Sequence, residues 1–175
     1  MLVETHFDEI EFRRFNEYFP AHGYEIEYLS YLRGQPALTF VEIDLAERVM
    51  VSVDVNAVEL SDYAGIVLIG AYAMNRLRQA MATEGLTVGT INHGPWLFCA
   101  APDLLEGRRV TSAHNIMYDV VNAGGVYAFD GDQGADTVVD GNLVTGRHPM
   151  VLDTFLDAFL GQVEAAQGAL PAGRA

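Results

Sequence analysis

The densest group of residues able to do chemistry is Thr87-Val88-Gly89-Thr90-Ile91-Asn92-His93-Gly94-Pro95-Trp96-Leu97. A strand-like run passes through Asn92-His93-Gly94 into a helix start. That is the layout of a nucleophile elbow, where one side chain stands on a strained turn between strand and helix. Asn is among the few non-glycine residues that accept a left-handed backbone at modest cost, so position 92 is predicted to carry the strain. Gly94 lets chain and ligand approach closely. Pro95 suits a first helical turn, where its missing N–H does no harm. Free N–H groups at such a turn can hold an anion or a developing oxyanion. The Asn92 amide can hold a substrate carbonyl or hydroxyl, or it can be there only to tolerate the turn; both readings stay open. His93 is functional if Asn92 is, and otherwise a polar residue at a helix start.

Other chemistries are excluded by residue counts. All ten basic residues are Arg, so there is no lysine for a Schiff base or a P-loop. The single cysteine, Cys99, rules out an internal disulfide and a multi-cysteine metal site. It lies two helical turns beyond Asn92 and reads as a small core residue, because a helix interior lacks the field that lowers a thiol pKa. No His pair has i, i+4 spacing, and Asp130, Asp132, Asp136 and Asp140 lack the order of a calcium loop, so no metal is expected and the acidic stretch reads as a solvated loop. His6, His22 and His148 read as surface or loop residues. A net charge of −14 disfavours nucleic acid and anionic lipid as partners, since both need a cationic patch.

The elements that must position the elbow follow from patterning. Length and an apolar content of 50% fit one domain over 1–166, with a small-residue tail over 167–175. Strands are predicted at Tyr24–Ser30, Leu38–Asp44, Met50–Asp54, Gly65–Gly70, Leu86–Ile91 and Arg109–Ser112. A hairpin across Thr137–Thr145 turns on Asp140-Gly141-Asn142. Helices are predicted at Asp8–Ala21, Ala73–Thr83, His93–Ala101, Asn115–Ala123 and Val151–Ala166. This alternation argues for an α/β fold around a mainly parallel sheet. Asp8 and Glu11 have capping-box spacing, and from spacing alone Glu11 is a capping residue. Phe12, Phe15, Tyr18 and Phe19 form the packing face of that first helix. Only Met1–Glu4 precede it, so either the opening strand is stunted or the start of the chain is not its natural one. No apolar run reaches the ~18–20 residues of a membrane span, and the start lacks a signal-peptide pattern. The chain reads as a soluble cytoplasmic protein.

These residues resemble the ThiJ/PfpI family of the class I glutamine amidotransferase-like superfamily. The likeness rests on Ile91-Asn92-His93-Gly94-Pro95, Gly107-Arg108-Arg109-Val110-Thr111, Val121-Asn122-Ala123-Gly124, Val138-Val139-Asp140-Gly141-Asn142 and Phe7-Asp8-Glu9-Ile10-Glu11. It implies a flavodoxin-like three-layer sandwich with a small β-hairpin, commonly assembled as a homodimer. It also implies that Glu11 lies beside the elbow residue. Gly70, Ala71, Tyr72, Gly94, His114 and Tyr118 fall in the segments that flank the family's site. The family nucleophile is a Cys where this chain has Asn92, and the G-G-x-A-P-E stretch is here Gly70-Ala71-Tyr72-Ala73-Met74-Asn75. A carboxamide cannot form a thioester or hemithioacetal, so cysteine protease, amidase, deglycase and glyoxalase activities are all disfavoured.

Three functions remain. The first is a cofactor-independent hydratase, lyase, isomerase or cyclase acting on a small carbonyl-type metabolite, with Glu11, Asn92 and His93 as catalytic residues. The second is a catalytically silent relative that binds a metabolite or a protein partner. The third is a natural Cys enzyme altered at position 92.

Overall fold

In a computed structural model of the protein, residues 1–4, 6–42, 48–69 and 76–169 are described. The strands are β1 Leu2–Val3, β2 Leu29–Ser30, β3 Leu38–Val41, β4 Arg48–Val51, β5 Val53–Asp54, β6 Gly65–Ile69, β7 Thr87–Ile91, β8 Arg109–Val110, β9 Val126–Tyr127, β10 Phe129–Asp130, β11 Gln133–Gly134, β12 Thr137–Asp140 and β13 Leu143–Gly146. The α-helices are α1 Glu9–Ala21, α2 Leu77–Ala82, α3 Met117–Asn122 and α4 Leu152–Ala169. Seven strands make the central sheet in the order β12-β13-β7-β6-β1-β2-β5. Every pairing in it is parallel except β12 with β13. With helices on both faces, this is a flavodoxin-like α/β sandwich.

Period-two alternation along the central strands builds two cores. Leu2, Ile66, Leu68, Val88 and Leu143 face a cluster that includes Leu77, Phe98 and Val120. Val3, Val67, Ile69, Ile91 and Val144 face the other, with Phe15 and Phe19 of α1 and Phe155 and Phe159 of α4. The second face is tight. A Cβ on Gly89 would lie 2.6 Å from the Phe159 ring, so the absence of a side chain there is what admits α4 to the sheet.

Several expectations shift. The expected strand Tyr24–Ser30 shrinks to Leu29–Ser30, because β1 offers only Leu2–Val3 to pair with. β3 and β4 form an antiparallel hairpin outside the central sheet. The expected helix at His93–Ala101 is a 3₁₀ segment, Gly94–Ala100, framed by Pro95 and Pro102, neither of which can donate a helical hydrogen bond. In the expected Asn115–Ala123 helix, a 3₁₀ turn at His114–Ile116 precedes α3. The expected Thr137–Thr145 hairpin forms as β12–β13, with Gly141 at φ +58° in its turn. α4 continues to Ala169, and residues 170–175 lie outside the described ones. Among the described residues, no helix is long and apolar enough to cross a membrane.

Candidate active site

β7 ends at Ile91, and the chain bends at once. Asn92 has φ +60°, the left-handed conformation expected of it. The bend is pinned on both sides: Asn92 N–H donates to Gly146 O at 2.9 Å, and Ala113 N–H donates to Asn92 O at 2.8 Å. The register that pairs Gly146 with Ile91 places that first acceptor. Gly94 is required by contact. A Cβ there would stand 1.9 Å from Thr90 Oγ1, and Thr90 is fully buried with its hydroxyl unpartnered.

The opposing group comes from α1. Asp8 caps this helix, its Oδ1 accepting from Glu11 N–H at 3.0 Å. This is half of the predicted capping box. The Asn92 side chain is among the groups that act on the Glu11 carboxyl. Glu11 is 5% exposed, and its Oε1 has no hydrogen-bond partner. Burial holds its pKa well above the usual carboxylate range; the nearby Asp8 charge adds to the rise, and the Asn92 side chain opposes it. The neutral acid is therefore favoured over an unusually wide pH range. A buried acid with one unpartnered carboxyl oxygen thus lies under the influence of the Asn92 carboxamide. Such a pair can deliver or accept a proton beside a carbonyl held by the amide.

The remaining candidates are spread out. Exposed His93 shares a 3.1 Å hydrogen bond between its Nε2 and Asn115 Oδ1, a partner that no sequence signal marked. His114 is exposed, and Tyr118 is 72% exposed. Gly70, Ala71 and Tyr72 lie outside the described residues. Cys99 is half-buried against the core beside α3, and burial, with Asp119 adding to it, pushes its thiol pKa up, which suits packing and not nucleophilic attack. The acidic stretch is more structural than a solvated loop. Asp136 pairs with Arg147 at 2.6 Å, and Asp140 accepts from Arg109 N–H at 2.8 Å. Among the described residues, no three His, Cys, Asp or Glu side chains converge as a metal site. A cavity of about 480 Å³ lies at the opposite end of the sheet, walled by Met1, Tyr24, Glu27, Tyr63, Gly65 and Phe159.

A mostly parallel sheet, helices on both faces and a strained bend after a central strand define a flavodoxin-like sandwich with an elbow site. The chain belongs to the DJ-1/PfpI family, whose model matches residues 1–162. Deglycase PfpI of Pyrococcus furiosus is 36% identical over 121 residues, covering 64% of this chain and 69% of that protein. A two-domain protein of Anabaena variabilis, with DJ-1/ThiJ/PfpI-like and ferritin-like domains, superposes with a TM-score of 0.79 at 26% identity. The match covers 97% of this chain and 48% of that one, so this chain spans about half of that relative. Schizosaccharomyces pombe DJ-1 shares the fold with a TM-score of 0.73 at 15% identity, covering 97% of each chain.

Proposed function

We propose that this protein is an enzyme of acid–base chemistry on a small carbonyl-type metabolite: a hydratase, lyase, isomerase or cyclase that needs no cofactor and acts in the cytoplasm. Glu11 moves the proton. Asn92 and nearby backbone N–H groups hold the charge that develops on the substrate oxygen. His93 stands at the rim of the site. The family resemblance assigns substrate binding to Gly70, Ala71, Tyr72, Gly94, His114 and Tyr118, and two copies of the chain assemble as a dimer.

One observation carries the reading: Glu11 is buried and keeps one carboxyl oxygen without a partner, and the Asn92 side chain acts on it. A carboxyl kept only for capping has no need of that position. The deglycase chemistry named for the Pyrococcus relative does not transfer through a thiol here, because position 92 is Asn and Cys99 is held in packing. The test is a panel of small aldehydes, ketones and hydroxy acids assayed beside Glu11→Gln. We expect turnover of at least one substrate, with kcat/KM falling about 10²–10⁴-fold in the variant, the range of one positioned acid or base. Equal rates in both proteins, or none with any substrate, would overturn the proposal.

A further inference from the structure

The cavity at the other end of the sheet takes no part in the acid–base reading, and chain order explains where it sits. Met1 leads into β1, Tyr24–Glu27 precede β2, and Tyr63 and Ala64 lead into Gly65, the first residue of β6. The cavity therefore opens at the amino ends of parallel strands, whereas Asn92 follows the carboxyl end of β7.

Its volume is about 480 Å³, within the ~300–1,000 Å³ of small-molecule sites. One wall is apolar and comes from packed elements. Phe19 of α1, Val67 of β6, and Phe159, Leu160 and Val163 of α4 line it, each at most 9% exposed. The Phe159 ring meets Phe19 edge-on, with centroids 5.8 Å apart. A Cβ on Gly65 would lie 2.6 Å from the same ring. Phe159 is thus held between α1 and the β6 backbone, and the wall is formed before any ligand arrives.

The other lining residues set the sign of the charge. Glu25, Glu27 and Asp62 line the cavity and are exposed. Tyr63 OH donates to the Glu27 carboxylate, which ties one acid to the wall. Among the described residues of the lining, none is Arg or His, and the chain has no lysine. The Met1 amine donates to Glu27 O at 2.6 Å. Burial, against the pull of Glu27, lowers its pKa to about 5, so it brings no charge at neutral pH.

We infer that this cavity is a second binding site, for an organic amine whose protonated nitrogen sits among Glu25, Glu27 and Asp62 and whose apolar body packs on Phe19, Phe159 and Val163. An apolar wall offers nothing to a strongly hydrated inorganic ion. Three acids with no facing cation repel a carboxylate or phosphate. Tyr24 and Tyr63, also in the lining, carry ring faces that attract a cation. The net charge of −14 draws cations toward the whole surface.

Three indoles that share a two-carbon arm and differ in its head group separate these terms: tryptamine, tryptophol and indole-3-propionate. Each is titrated into the protein by calorimetry at neutral pH and physiological salt. Tryptamine is expected to bind about fivefold more tightly than tryptophol, the upper end for a partly exposed ion pair, and indole-3-propionate is expected to give no heat. Glu27→Gln combined with Asp62→Asn should bring tryptamine down to the level of tryptophol. Ala64, half-buried against the α4 side of the core, gives the steric arm: Ala64→Leu should weaken both ligands alike. Methyl NMR locates the contact, with the Val67 and Val163 signals expected to move on addition of tryptamine. The idea is lost if tryptamine does not bind, if indole-3-propionate binds as well, or if those two valines stay still. These comparisons use the unaltered chain, so they decide the matter even if a variant fails to fold. No arm of the test reads turnover: its failure leaves the proposed function standing, and failure of that function leaves this site.

Discussion

At Asn92 the chain holds φ +60°, a conformation that costs an ordinary L-residue about 1–2 kcal/mol. Substituting Ala and substituting Gly both remove the side chain that acts on Glu11, so the difference between the two variants isolates the backbone. Asn92→Ala should unfold at lower urea than Asn92→Gly, by the equivalent of about 1 kcal/mol. Glu11 leaves its mark on the pH dependence of stability. Its pKa is raised in the folded state, so between the ordinary carboxylate pKa and the raised one the native state binds more protons than the unfolded state. Stability must then fall as pH climbs through that window, and this contribution is undiminished only below the unfolded value. Glu11→Gln cannot ionise. Its urea midpoint, plotted from about pH 4 upward, should gain on the wild type as pH rises. Parallel curves would mean that Glu11 ionises normally.

At the scale of elements, the elbow depends on how closely one strand end can double back on itself. Gly94 sits over Thr90, and a Cβ at 1.9 Å from that buried hydroxyl cannot be accommodated without movement. Gly94→Ala should therefore destabilise by about 1–3 kcal/mol, the usual cost of overpacking. Adding Thr90→Ala removes the clashing oxygen, which has no partner to lose, and should recover part of the loss. A double-mutant cycle from thermal unfolding reads the coupling. Strict additivity would show that the turn relaxes elsewhere. The head of α1 has a linked task. Asp8 fixes the helix start through Glu11 N–H and also raises the pKa of the Glu11 side chain.

For the whole molecule, α4 and α1 close one face of the sheet, with Phe155 fully buried against Phe15 and Phe159. Phe155→Ala leaves a void on the face behind the elbow strand, and should cost about 3–5 kcal/mol in urea unfolding. The α/β class, the α1 cap and the central strands β6 and β7 could be read from the chain, because each rests on local periodicity or on a single turn residue. The outlying β3–β4 hairpin, the brevity of β2 and the 3₁₀ form after the elbow could not. Those depend on what neighbouring strands leave to pair with.

The same division holds at the site. Asn92, Gly94 and Pro95 announce a strained turn through their own steric limits, with no help from the rest of the fold. Spacing alone left Glu11 a capping residue, and only the family resemblance moved it beside the elbow. The raised pKa of the Glu11 carboxyl, its unpartnered oxygen and the hold of Asn115 on His93 belong to no local pattern. They arise because the order of parallel strands carries the head of α1 to the carboxyl end of β7, and because burial there strips water from a group that the sequence shows only as an acid.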